Sequence, residues 1–288
     1  MSFTSTQFDA ALATSTSEEQ PWLWFNLLSL DAPLVAISWQ LLFIKCGREE
    51  IQPLVVIVLG LTVWLIYAAD RLFDVLHDKA PPATSRHRFH QRHKMAMALS
   101  IIAASMLLAA LLPHLRPALL FEGYGLAVIV GLYFAGIHLA PGAIRKTCPK
   151  EFVVGTVFAL GTCLAPWAGH VHQNELILPA VLFAVLCSLN CSAIEVWEWT
   201  RLGADPHSRP HAFTLWLVRR LCPVAMLIAI AAAFLFFYSG ANLLFAALAI
   251  SSFAFVWLHK EQSRLSSNLL RVLADVPLLS PLLLLGIR

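Results

Sequence analysis

Two acidic side chains end an otherwise apolar stretch, where residues 64–78 have the sequence WLIYAADRLFDVLHD. On a helix, steps of three and four residues separate Tyr67, Asp70 and Asp74, which places these side chains on one face. An ionisable side chain at the centre of a membrane helix costs about 2.5–3.5 kcal/mol, so helices that keep acids generally use them. We therefore treat this segment as a candidate functional site.

A second acidic group, Glu195 and Glu198, lies in residues 190–201, NCSAIEVWEWTR, and its spacing of three also keeps both residues on one face. Two facing pairs of carboxylates repel each other unless a cation lies between them. Mg²⁺ prefers oxygen ligands and typically bridges one or two carboxylates to substrate phosphates. The pattern predicts that Mg²⁺ is the cofactor and that Glu195 and Glu198 share it with Asp70 and Asp74, as metal ligands and catalytic residues.

Basic and polar residues near these acids have the chemistry to bind phosphate oxygens. Arginine presents a fork of N–H donors, and lysine presents a compact positive charge. The predicted substrate-binding residues are Tyr67, Arg71, Arg86, Arg88, Lys146, Lys150, Asn190 and Arg201. The alternative interpretation is that the basic loop residues contact anionic lipid headgroups.

The composition excludes a water-soluble enzyme, because 59% of the 288 residues are hydrophobic and only 13% are charged. The net charge of +3 is too small to indicate nucleic acid as a partner. None of the six cysteines forms a C-x-x-C pair, so neither a disulfide framework nor a zinc site is indicated. The lipid bilayer is the predicted surrounding.

Nine apolar windows are separated by Pro, Gly, His and charged residues, and a membrane helix needs about 20 apolar residues. The predicted spans are 29–46, 51–70, 95–112, 117–140, 151–169, 175–198, 215–238, 241–259 and 268–287. The fold class is therefore an all-α polytopic membrane protein. Residues 1–20 are predicted to be a disordered tail, and 21–288 a single transmembrane domain.

The basic residues predict the orientation of the chain. With nine spans and the N-terminus inside, 16 of the 20 Lys and Arg residues fall at the cytoplasmic ends of the spans. This asymmetry is what the positive-inside rule requires. It predicts an integral protein of a bacterial cytoplasmic membrane, with the C-terminus outside.

The order and separation of these motifs resemble the UbiA-type intramembrane prenyltransferase family over roughly residues 30–285. Asp70 and Asp74 stand where that family has the last two acids of its first Asp-rich motif, and Glu195 and Glu198 stand at its second acidic motif. Three further matches are RKTCPKEFVVG at 145–155, FALG at 158–161 and the Thr214-Leu215 pair. The chain departs from the family pattern at Ile66-Tyr67, which replaces Asn-Asp, and in the spacing of three rather than four in the second motif.

The resemblance implies a helical bundle around a lipid-accessible cavity, with both acidic motifs and their Mg²⁺ ions at the cytoplasmic mouth. It implies that a polyprenyl diphosphate binds there and that its prenyl group passes to a lipophilic, commonly aromatic, acceptor. The runner-up hypothesis is a catalytically retired relative that only binds lipid or partners. A transporter is a further alternative, since membrane acids often carry protons or coupling ions. The last alternative is a membrane di-iron oxidase, in which the histidines at 87–93 and 207–211 would bind the iron.

Overall fold

A computed structural model describes residues 23–77, 85–139, 149–168, 173–201, 203, 209–240 and 242–287, and within these ranges every regular element is helical. The first seven α-helices are α1 (Leu23–Leu27), α2 (Asp31–Cys46), α3 (Pro53–His77), α4 (Ser85–Arg92), α5 (Lys94–Leu111), α6 (Pro117–Leu139) and α7 (Lys150–Ala168). The others are α8 (Gln173–Arg201), α9 (Ala212–Arg219), α10 (Leu221–Tyr238), α11 (Leu243–Glu261), α12 (Ser267–Asp275) and α13 (Pro281–Leu284). The predicted tail, 1–20, lies outside the described residues.

Seven helical segments of the described chain are long and apolar enough to cross a membrane, which confirms an all-α polytopic membrane protein. They are Pro53–Phe73, Lys94–His114, Lys150–Ala168, Asn174–Arg201, Leu221–Tyr238, Leu243–Arg264 and Ser267–Leu284. Only 6% of the residues of Lys94–His114 are buried, so α5 presents an apolar surface suited to lipid rather than water.

The other two of the nine predicted spans correspond to α2 and α6, which do not reach this length within the described residues. α2 has 16 residues, which makes it about 24 Å long against a hydrocarbon core of about 30 Å. α6 covers Pro117–Leu139, and its described apolar stretch is Pro117–Tyr133. The structure therefore supports seven spans, and crossings by α2 and α6 stay a prediction.

α7 and α8 form the closest helix pair in the core, because a glycine lies at their contact. A Cβ atom built on Gly155 would lie 2.5 Å from the backbone nitrogen of Ser188. α2 packs against the same pair, where the Trp39 ring stacks on Phe183 with centroids 4.2 Å apart. The same core includes α10 and α11, which pack along each other.

The last membrane segment is broken, although the sequence predicted one span over 268–287. A 3₁₀ turn, Val276–Leu279, separates α12 from α13, because the prolines at 277 and 281 lack the N–H that a continuous helix needs. Side chains bind the carbonyls that this break leaves. Ser251 donates to Pro277 O at 2.7 Å, and the Trp39 indole donates to Leu278 O at 2.7 Å.

Four helix termini meet at one end of the bundle, which we call the polar end. These are the start of α2, the end of α3, the start of α7 and the end of α8. Arg71 near the end of α3 donates to Asn26 O at 2.7 Å, just before α2 begins. Lys150 at the start of α7 lies 3.3 Å from Glu195 near the end of α8. The antiparallel helices thus bring together the two acidic segments found in the sequence.

Candidate functional site at the polar end

Lys150 pairs with an acid of the second predicted motif. Its Nζ atom is 3.3 Å from Glu195 Oε2, and its side chain is 57% exposed. The charges of Glu151 and of Asp70, on α3, act on the Lys150 ammonium as well. The ammonium offers a point charge to the oxygen atoms of an anionic ligand.

Glu198, the second acid of α8, forms a different ion pair. Its carboxylate accepts a hydrogen bond from Arg271 of α12. Arg201 contacts the segment after α11 instead, where it donates to Gln262 O and, at 3.3 Å, to Ser267 Oγ. Glu198 is therefore tied to α12 rather than to its helical neighbour Arg201.

Several predicted site residues have side chains outside the described part of the chain. Lys146 falls in the gap 140–148. Asp74 lies in the last turn of α3, while Arg86 and Arg88 lie in α4, and only their helical backbone is described. Their assigned roles stay predictions.

The described residues contain no group of three His, Cys, Asp or Glu side chains placed to hold a metal ion. The donors on hand are the exposed Asp70 and the half-buried Glu195. Mg²⁺ is often bound by one or two carboxylates together with substrate phosphates rather than by a full protein cage. Asp70 and Glu195 have the oxygen donors that Mg²⁺ prefers, but Glu195 is paired with Lys150 and Glu198 with Arg271.

An apolar cavity of about 490 Å³ lies next to these charges, between α3, α5, α6 and α7. Its lining includes Tyr67 on α3, three residues from Asp70, and continues along the same helix to Val55. That distance of twelve residues corresponds to about 18 Å of helix. The volume is within the range of about 300–1,000 Å³ typical of pockets for small organic ligands.

Two buried polar clusters at the polar end each join a predicted substrate-binding residue, Arg71 or Asn190, to partners that were not predicted as site residues. In the first, Arg71 donates to Asn26 O and Ser29 Oγ and lies 4.0 Å from Asp31. Arg71 is only 7% exposed, so it fixes the chain before α2 onto α3. The available sequence signal was Asp31, an acid at the start of an apolar span. Its Oδ1 atom also accepts a hydrogen bond from Ala32 N at 3.0 Å.

The second cluster joins α8 to α12. Asn190, predicted to bind substrate, donates from Nδ2 to Asp275 Oδ1 at 2.8 Å. The sequence signal for this cluster was Asp275, an acid inside the last apolar segment, because acids are rare in membrane helices unless they have partners.

Thr214, part of the Thr-Leu pair, also has a buried acidic partner. Its hydroxyl donates to Glu151 Oε2 at 2.8 Å, and both residues are buried. This bond joins α9 to the first turn of α7, immediately beside Lys150. It therefore holds in place the helix start that presents the Lys150 ammonium.

Replacing Glu195 with glutamine is expected to change the free energy of unfolding by less than about 1 kcal/mol, because ion pairs this exposed contribute little. Denaturant unfolding in detergent micelles measures this value. A cost above about 2 kcal/mol would instead show that the Lys150–Glu195 pair is a structural element.

Comparison of the chain with protein-family models, with curated proteins and with solved structures gave no match. The similarity to a family therefore depends on the order of the motifs described above.

Proposed function

We propose that the protein is a membrane prenyltransferase that moves a polyprenyl group from its diphosphate to a lipophilic or aromatic acceptor with the help of Mg²⁺. One observation carries the proposal: an apolar cavity is lined by Tyr67, three residues from Asp70 on α3, at the polar end where Lys150 and Glu195 form an ion pair. A polyprenyl diphosphate has the matching form, a long apolar chain with a charged head.

The residues at the polar end would divide the binding of the diphosphate between them. Asp70, Asp74 and Glu195 would hold Mg²⁺, which supplies positive charge to the departing diphosphate. Lys150 would contact the phosphate oxygens directly, with Lys146, Arg86 and Arg88 as further cations. Glu198 would act indirectly, by holding Arg271 near the same site.

The apolar walls of the cavity would protect the reacting carbon. As the bond to diphosphate breaks, the allylic carbon of the prenyl group gains cationic character, and water would capture it. A cavity lined by Val, Leu and Phe side chains keeps water away until the acceptor attacks.

The proposal includes a membrane orientation. With nine crossings, α2 and α6 included, the polar end would face the cytoplasm of a bacterial cell and the C-terminus would lie outside. The distribution of basic residues described above supports this arrangement.

The ion pairs favour a second candidate function, a retired relative that binds lipid without chemistry. Lys150 and Arg271 already neutralise Glu195 and Glu198, the two acids of the second motif. A site whose carboxylates are paired within the protein binds a metal ion less readily. In this case the cavity would bind a lipid independently of Mg²⁺.

Replacing Asp70 with asparagine is expected to weaken Mg²⁺-dependent binding of farnesyl diphosphate at least about tenfold, because the amide keeps the size of the side chain but loses its charge. Isothermal titration of the purified protein with farnesyl diphosphate, in Mg²⁺ and then in EDTA, measures the effect. We expect Asp74→Asn to behave in the same way.

Glu122→Gln is the matched control, because Glu122 lies near the start of α6, at the opposite end of the bundle from Asp70. It should leave the titration unchanged. Equal binding of farnesyl diphosphate in Mg²⁺ and EDTA would refute the transferase proposal and favour the retired relative.

A further inference from the structure

The short helix α9 lies in the connection between two membrane segments, Asn174–Arg201 and Leu221–Tyr238. One side of α9 is buried against the bundle, where it packs on α8 and where Thr214 bonds to Glu151 at the polar end. The other side is exposed, and no residue of α9 belongs to the lining of the apolar cavity. The exposed side of α9 is therefore a surface separate from the site described above.

Large aromatic side chains cover the exposed side of α9. Trp216 is 46% exposed, and its ring stacks on that of Phe213 with centroids 5.7 Å apart. Phe152 of α7, also exposed, meets Phe213 edge to face at 6.1 Å. Exposed tryptophan and other aromatic rings at the ends of membrane helices are typical of the boundary between acyl chains and headgroups. Phe152, Phe213 and Trp216 form what we call the aromatic surface.

An arginine is held over this aromatic surface. The Cζ atom of Arg220 lies 4.8 Å from the centre of the Trp216 ring. This attraction acts between the positive charge and the face of the ring, and a guanidinium carries five N–H donors in its own plane. Because the ring holds Arg220 by its charge and not by accepting those donors in ordinary hydrogen bonds, Trp216 orders the side chain while its donors stay available to an anion.

The positive charge beside the aromatic surface is not compensated within the protein. Arg219 and Arg220 are adjacent and exposed, and neither forms an ion pair with any residue that the structure describes. Arg264 at the same end of the bundle differs, since it pairs with Glu261 at 2.9 Å. Two free positive charges next to exposed aromatic rings are complementary to an anion that is attached to an apolar chain.

We infer that Arg219 and Arg220 bind the phosphate group of an anionic phospholipid, whose acyl chains lie along the aromatic surface. The fork of arginine N–H donors matches phosphate oxygens, and each basic side chain near a membrane surface attracts anionic lipid. The membrane around α10 is the source of the ligand. The inference needs only α9 and its surroundings, so it stands whether or not the protein transfers prenyl groups.

Native mass spectrometry of the purified protein, titrated in micelles with phosphatidylglycerol or phosphatidylcholine of the same acyl chains, counts the bound lipids. We expect the double variant Arg219→Gln/Arg220→Gln to retain one phosphatidylglycerol molecule fewer than the wild type, because losing both charges weakens this site at least about tenfold. Binding of phosphatidylcholine, which has no net charge, should be unchanged. We expect Trp216→Leu to weaken retention of the same phosphatidylglycerol molecule about threefold, because it keeps both charges but no longer orders Arg220.

Arg264→Gln is the matched control, because Arg264 is 80% exposed at the same end but is already paired. This variant should retain the wild-type number of phosphatidylglycerol molecules. Glycerol 3-phosphate in excess should not displace the lipid, since it has no acyl chains, and displacement would overturn the assignment to a lipid.

Three further results would refute the inference. The double variant could retain as much phosphatidylglycerol as the wild type, Arg264→Gln could lose as much as the double variant, or Trp216→Leu could bind as tightly as the wild type. All of the changed residues are exposed, so the variants should fold normally. No prenyl diphosphate or Mg²⁺ is present, so the result is independent of the transferase test.

Discussion

Replacing Arg71 with alanine is expected to lower the free energy of unfolding by about 3 kcal/mol, since breaking a buried charged pair leaves its partner uncompensated. Arg71 donates to Asn26 O and Ser29 Oγ, and Asp31 lies within 4.0 Å. Without the guanidinium, these acceptors would remain in a region largely closed to water. Unfolding in detergent micelles measures the loss.

Arg71→Lys separates this structural role from the predicted role in substrate binding. Lysine keeps the charge but cannot present several N–H donors in a fixed fork, so we expect an intermediate loss of stability. Arg116→Ala, at an exposed position near the opposite end of the bundle, should have almost no effect. Normal stability of both Arg71 variants, with weakened binding of farnesyl diphosphate, would instead identify Arg71 as a ligand-binding residue.

The sequence was sufficient to locate most of the membrane helices, because their windows are apolar on all sides. The window 175–198 became α8, Gln173–Arg201, and 95–112 became α5, Lys94–Leu111. The break at Pro277 was missed although proline was visible there, because hydropathy alone does not register a missing N–H. The break at Arg220, between α9 and α10, was missed for the same reason, because Pro223 in the first turn of α10 lacks the N–H that a continuous helix needs.

Within the candidate site, the sequence predicted only the features that follow from the direction in which each helix runs. Asp70 and Glu195 reach one end of the bundle because successive membrane helices run antiparallel. The ion pair of Glu198 with Arg271 depends on how α12 packs against α8, 73 residues along the chain. Spacing within one helix contains no information about that contact.

The sequence likewise predicted that a cavity exists, but not which helices line it. A lipid-accessible cavity was implied by the resemblance, whereas the lining by α3, α5, α6 and α7 follows from tertiary packing.

Replacing Gly155 with alanine is expected to destabilise the protein by about 3 kcal/mol, the upper end of the usual cost of overpacking a core. The added Cβ atom would lie 2.5 Å from Ser188 N and 2.7 Å from Ser188 Cα. Because both atoms belong to the backbone, no side-chain rotation relieves the clash, and α7 and α8 must move apart. Since Lys150 and Glu195 belong to these two helices, their separation should also disturb the polar end.

Gly161→Ala, six residues further along α7, provides a control with the opposite expected sign. A Cβ atom there would meet only Leu126 Cδ2, at an ordinary distance of 3.5 Å. Exchanging glycine for alanine inside a helix is favourable by up to about 1 kcal/mol, so this variant should be neutral or more stable. Thermal unfolding of both variants in the same detergent measures the contrast. If Gly155→Ala proved as stable as Gly161→Ala, the close approach of α7 and α8 would not exist, and the ion pair of Lys150 with Glu195 would lose its structural basis.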